Sequence, residues 1–252
     1  MERVVLCMKW GTLYGPEYVN VLYNACRANL TGPFRFVCLT DDAAGLVADI
    51  EVFPIPEIGL APDHWRGGAW PKISVFCEDL YGLKGRALFI DLDMVIWGEL
   101  DQFFEYGTGL VAIDSAPWRY RDAPPQTMSS IFAFDLGKMG WLVDWLRADR
   151  EHYISKYGIE QRYLHGEVPQ IGYWPQDWIK SYKYHLRRPL LVDRLMGPAK
   201  PHPSLKVLCF HGKPRPIDLI HPPKGNWDRF PHYGRGQVPW MAEYWARYGG
   251  TV

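Results

Sequence analysis

Residues 86–104 read RALFIDLDMVIWGELDQFF. The apolar run 86–90 has the look of a strand driven into a core, and two carboxylates, Asp91 and Asp93, follow where that strand should emerge. Ligands of open α/β sheets bind beyond the carboxyl ends of strands, so chemistry is expected here. Side chains alternate along a strand, which predicts Asp91 and Asp93 on one side with Leu92 opposite. Two hard oxygen ligands suit Mn²⁺ or Mg²⁺, with phosphate oxygens and water completing the shell. The plain alternative is a pair of solvated turn aspartates. Acids beside a buried strand are costly unless something binds them.

Working outward, the pattern alternates between strand and helix. Residues 3–8 form a short β-branched run, and a helix is predicted from Pro16, with Tyr18, Val19, Leu22, Tyr23 and Cys26 at helical spacing. Strands are predicted over 34–40 and 50–53, and a helix over 72–80 begun by Pro71. Two more strands are predicted at 109–114 and 130–135, followed by an amphipathic helix over 138–147. The alternation predicts an α/β fold with a mixed, mostly parallel central sheet flanked by helices. Beyond about residue 160 the pattern turns irregular, apart from a strand at 206–210 and a closing helix at 240–248.

Composition bounds the partners. The chain has 252 residues, 48% of them hydrophobic, enough for a full core. Lys plus Arg equal Asp plus Glu at 28 each, so nothing electrostatic points to nucleic acid, and any phosphate binding must be local. Aromatic residues reach 15% with 12 Trp, which suits stacking on sugar rings as well as ordinary packing. Five cysteines, none in a CxxC pair, argue for free thiols in a cytoplasmic protein and against a thiolate zinc site. No stretch has the length of a transmembrane helix, which leaves peripheral attachment to a membrane open.

The segment FIDLDMVIWGELDQFF resembles the DxD region of GT-A-fold glycosyltransferases, particularly family 8 (glycogenin and bacterial galactosyltransferase-like proteins) and its bacterial relatives. The resemblance extends in order along most of the chain. CFHGKPRP (209–216) is similar to the late H-x-G-x-K-P motif, which implies His211 as a third metal ligand beside Asp91 and Asp93, with Gly212 and Lys213 at the donor phosphates. The first strand's end, Met8, Lys9, Trp10 and Gly11, is implied to border the nucleoside. GGAWPKISVF (67–76) nominates Lys72 for the donor; pairing with Glu78 or Asp79 would explain it equally. SSIFAFDLGKM (129–139) resembles a sugar-lining segment, with Met128 where relatives carry Asn, which leaves Ser129 and Ser130 as the polar candidates. Leu92, inside the DxD motif, is assigned to the donor as well. YGIEQRYL (157–164) resembles the element beneath the transferred sugar, implying Glu160 and Gln161 as the catalytic pair; plain helix-surface residues would also fit.

The resemblance implies a single GT-A-like domain, with residues 1–115 as the nucleotide-sugar half and 116–252 as the acceptor half. It implies transfer of a hexose from a UDP-sugar to a glycan or lipid-linked acceptor, with retention. Tyr163, Trp174, Trp178 and Tyr182 are candidates to line the acceptor pocket. Three other readings compete. Asp91-x-Asp93 matches the first motif of haloacid-dehalogenase-like phosphatases, but no later acidic pair follows. A nucleotidyltransferase would call for a richer glycine loop than CMKWGTLYG. An inactive carbohydrate-binding protein would explain the aromatics but not the acids, His211 and Lys213.

Overall fold

The computed structural model describes residues 2–120, 122–222 and 234–252. In chain order the strands are β1 (Arg3–Lys9), β2 (Arg35–Thr40), β3 (Glu51–Phe53), β4 (Arg86–Ile90), β5 (Val95–Ile96), β6 (Val111–Asp114), β7 (Thr127–Asp135), β8 (Gly172–Tyr173), β9 (Ile179–Ser181) and β10 (Val207–Cys209). The α-helices are α1 (Pro16–Asn29), α2 (Asp101–Glu105), α3 (Trp141–Ala148), α4 (Arg150–Tyr157), α5 (Glu160–Glu167), α6 (Leu190–Met196) and α7 (Pro239–Arg247).

Seven strands make the main sheet in the order β3-β2-β1-β4-β7-β6-β8. β1 runs parallel to β2 and β4, β2 to β3 and β6 to β8, while β7 is antiparallel to both neighbours. The alternation of side chains splits the core into two layers. Val5, Cys7, Leu88, Ile90, Ile131 and Ala133 face α1 and α7, and Val4, Leu6, Met8, Phe89, Phe132 and Phe134 face α3 and α5. Because both faces are covered, the central strands read as continuous apolar runs rather than alternating ones.

One predicted helix and the later region depart from expectation. The segment predicted as an α-helix over 72–80 is a 3-10 helix, Trp70–Phe76, in which every residue is buried. It enters through Ala69 in the left-handed region at φ 52° and leaves at Cys77 in extended geometry. Pro71 and the β-branched Ile73 and Val75 favour a short, tight turn over a longer helix. The strand predicted at 206–210 is β10, and it belongs to a second, three-stranded sheet in the order β5-β10-β9. Nor is the region beyond 160 as irregular as its composition suggests, since it holds α5, α6 and two short strands. No described helix is long and apolar enough to cross a membrane.

Candidate active site

Strand β4 ends at Ile90, and the chain turns at once. Asp91 donates its backbone N–H to the Ser130 carbonyl at 2.8 Å, and the Met94 N–H reaches back to the Asp91 carbonyl at 3.1 Å. The two carboxylates therefore sit in a turn, not on one face of a continuing strand as alternation predicts. They take different partners. The Lys72 ammonium lies 2.9 Å from Asp91, and the Tyr14 hydroxyl donates to Asp93 at 2.8 Å.

Lys72 is the hub of this cluster. Its buried ammonium also lies 3.3 Å from the Glu160 carboxylate and 3.2 Å from the Ser129 carbonyl, and the Ser129 hydroxyl donates to Glu160. Gly68 makes the approach of Glu160 possible. A Cβ there would stand 2.6 Å from the Gly158 carbonyl, and Gly68 accepts the Glu160 N–H at 2.9 Å. Burial alone would push the Lys72 ammonium down, but Asp91 and Glu160 beside it hold it above the usual lysine value.

The aspartates differ electrostatically. Burial pushes Asp93 up to about 7, the Asp91 charge adds to this, and the Tyr14 hydrogen bond opposes it. Burial raises Asp91 too, against the pull of Lys72. Among the described residues one cation thus serves two acids, Asp91 and Glu160, and the side-chain donor to Asp93 is the neutral Tyr14 hydroxyl. The residual negative charge and all-oxygen donor set fit a hard divalent cation. Among the described residues no three His, Cys, Asp or Glu side chains are gathered as a ready metal group.

A cavity of ≈ 680 Å³ opens over this turn, and its wall includes Met8, Trp10, Gly11, Tyr14, Trp65, Arg66, Lys72, Asp91, Leu92 and Asp93. Gly11 turns the chain out of β1 at φ 61° and donates its N–H to Asp41 at 2.9 Å, while the Trp10 indole N–H donates to the Trp65 carbonyl at 2.9 Å. An indole, a flexible thioether and a carboxylate pair give the cavity both apolar and polar walls.

Known structures share this arrangement of elements. The galactosyltransferase LgtC, in complex with donor and acceptor sugar analogs, superposes with a TM-score of 0.60 at 13% identity, covering 99% of this chain and 97% of that one. The glycosyltransferase GlyE of Streptococcus pneumoniae TIGR4 gives a TM-score of 0.62 at 13% identity; all of this chain is covered, and it spans 62% of GlyE. The fold is that of GT-A-type glycosyltransferases. No protein-family model matches the chain, and no curated protein matches it in sequence.

On this GT-A frame the candidate residues separate. Met8, Trp10, Gly11, Lys72, Leu92, Asp91 and Asp93 share the cavity wall. Lys9 does not. Alternation turns it away from Met8 and Trp10, and its buried ammonium donates to the Asp42 carbonyl at 2.9 Å, bracing the end of β2. Lys72 pairs with Asp91 and Glu160, not with Glu78 or Asp79. Ser130 is half-buried beside Asp91, to which its carbonyl is bonded. Glu160 is buried at the start of α5, and Gln161 next to it is half-buried.

His211 follows β10, whose antiparallel register with β5 pairs Leu208 with Val95 and so runs back toward the aspartate turn. Its ring lies between those of Trp118 and Tyr184, with centroids 6.1 and 5.7 Å away, and its Nε2 is 2.8 Å from the Ser181 hydroxyl. Burial, then the charges of Lys183 and Arg119, push it down to about 4. Gly212 and Lys213 are exposed and outside the cavity wall. Of the acceptor-lining candidates, Tyr163, Trp174 and Tyr182 are core residues, and only Trp178 is half-buried. Their rings fill the space between layers, as aromatic residues in a Trp-rich chain must.

Sequence reasoning missed Tyr14, Trp65, Arg66 and the ring pair around His211. Tyr14 and Trp65 sit in segments whose local pattern carries no chemistry. Tyr14 gains its partner Asp93 only where the chain leaves β4, and Trp65 gains the Trp10 indole only where the chain leaves β1.

Proposed function

We propose that the protein is a metal-dependent glycosyltransferase that moves a hexose from a UDP-sugar to a glycan or lipid-linked acceptor, with retention of anomeric configuration. The observation that carries the reading is the juxtaposition of Asp91 and Asp93 with the aromatic slot of Trp10 and Trp65 in one cavity of a GT-A fold. In this reading residues 1–115 hold the donor and the later half the acceptor.

The nucleoside would lie along Met8, Trp10 and Gly11, and its diphosphate would point toward the aspartate turn. A divalent cation, Mn²⁺ or Mg²⁺, would be held by Asp91 and Asp93, with His211 as the third protein ligand once its Nε2 leaves Ser181; it would supply charge for the leaving diphosphate. Glycosyl transfer builds negative charge on that leaving group, and buried cations aimed at it act more strongly than in water. Lys72 opposes the effect of burial on Asp91, orients it and adds a positive charge beside the aspartates. Glu160, tied to Lys72 and Ser129, orients the floor beneath the sugar, with Gln161 beside it. Lys213 would reach the phosphates from the His211 loop. Five free thiols fit a reducing cytoplasm, where UDP-sugars are available.

Calorimetric titration with UDP tests the reading. UDP should bind with Mn²⁺ and not with EDTA, and Asp91→Ala should abolish the metal-dependent heat. Equal binding with and without metal, or no binding at all, would overturn it.

A further inference from the structure

Helix α6 is built inside out. Its single acid, Asp193, is 1% exposed, while its apolar residues face solvent: Leu191 is 73%, Leu195 87% and Met196 69% exposed, with Leu190 and Val192 at 38% each. A helix on the surface of a globular protein normally presents the opposite arrangement. The chain holds it this way from beneath. Asp193 takes the Arg187 guanidinium at 2.5 Å and the Arg188 backbone N–H at 3.0 Å. The Arg188 side chain also donates to the Gly197 carbonyl at 3.2 Å, and the Ala199 N–H closes the excursion onto the Leu186 carbonyl at 2.8 Å. With its polar anchor turned inward, the helix leaves Leu191, Leu195 and Met196 largely open to solvent among the described residues, although Leu195 and Met196 share a cavity wall with Val238 and Trp240.

Charge says what covers them. The chain as a whole is neutral, yet residues 180–213 carry eight Lys or Arg against one acid, and that acid is the buried Asp193. Arg194 on the helix and Lys200 just past it are exposed, with Lys200 3.8 Å from Glu243. An apolar ridge flanked by these cations matches an anionic bilayer: the leucines enter the acyl boundary and the cations meet the headgroups. A soluble protein rarely leaves a contiguous apolar patch open without a partner.

We propose that α6 is a membrane-docking helix that seats the protein on an anionic lipid surface through Leu191, Leu195 and Met196. The helix is joined to the candidate active site by a short stretch of chain. Ser181 and Tyr184, nine and six residues before the helix begins at Leu190, contact the His211 ring. Docking would therefore bring that side of the site to the lipid surface, where a lipid-linked acceptor would be presented.

The test is co-sedimentation of the full chain with vesicles of phosphatidylcholine alone and of phosphatidylcholine with phosphatidylglycerol. No sugar nucleotide is present, so the result is independent of the donor reading. The expected outcome is sedimentation with the anionic vesicles, weakened by salt, and loss of at least about tenfold in binding for Leu191→Ser/Leu195→Ser, with UDP binding unchanged. The single variant Leu195→Ser carries the same test if the double variant does not fold. Protein that stays in the supernatant with both vesicles would overturn the proposal, as would variants that sediment like wild type. A dimer in light scattering that the variants dissolve would also overturn it, assigning the ridge to a second copy of the chain.

Discussion

Replacing Asp93 by Asn should make the metal-free protein more stable at alkaline pH and useless for binding a cation. The reason lies in the turn at the end of β4. Burial and the neighbouring Asp91 raise the Asp93 carboxyl to about 7 from an ordinary 3.8. A carboxyl raised on folding costs stability when ionised. That cost is absent below the unfolded value and fully present above the folded one, so stability falls as pH climbs from about 4 to about 7. The displacement sets an upper limit of about 4 kcal/mol, and water reaching the cavity mouth reduces the expected gain to about 1–3 kcal/mol. For a chain of this size that is roughly 2–10 °C in melting temperature. Asn keeps an oxygen to accept from Tyr14, so the hydrogen bond survives. Thermal melts of wild type and Asp93→Asn should therefore diverge at pH 8.5 and coincide at pH 4, all in EDTA. Adding Mn²⁺ and UDP should reverse the order, since only wild type gains binding energy. A variant no more stable than wild type at pH 8.5, or equally stabilised at pH 4, would refute the account of Asp93 as an ionisable group held against its own charge.

Lys72→Met strands Asp91 and Glu160 in a buried site without their cation, so urea unfolding should show a loss of about 3–5 kcal/mol. A loss below about 1 kcal/mol would mean that water, not Lys72, compensates those acids. Burial and the charges of Lys183 and Arg119 hold His211 neutral across the physiological range, so its imidazole can take a cation once Nε2 leaves Ser181. His211→Ala should weaken Mn²⁺-dependent UDP binding at least about tenfold by calorimetry. Unchanged affinity would assign the ring to packing between Trp118 and Tyr184.

Much of the frame was readable from local pattern. Strands β1, β2 and β4 are short apolar runs bounded by turn residues, and α1 announces itself with Pro16 and its helical spacing. The Asp91 and Asp93 pair was visible because charge at the end of such a run has few structural explanations. The losses have a common origin. Whether Lys9 or Lys72 reaches the cavity depends on which face of the sheet its element presents, and Glu78, Asp79, Asp91 and Glu160 are all plausible partners until the chain is folded. Lys72 went to Asp91 and Glu160 because the 3-10 helix turns it inward beneath β4. Tyr163, Trp174 and Tyr182 looked like acceptor residues because an aromatic ring suits a sugar and a core equally well. Even the aspartate spacing misled in detail, since the strand stops one residue before Asp91.

The same turn joins the two sheets. Asp91 is tied to Ser130 in the large sheet, and directly after Met94, whose N–H bonds back to Asp91, the chain enters β5, whose partner β10 lies far along the sequence. Contacts between distant segments close late in folding, because the intervening chain must first be ordered. The large sheet can therefore assemble while the carboxylate turn is still tethered on one side only. Its final shape waits for β10 to arrive, and with it the loop that carries His211. A nascent or partly unfolded chain would hold the sheet but not a competent cation site, so metal affinity would serve as a reporter of complete folding.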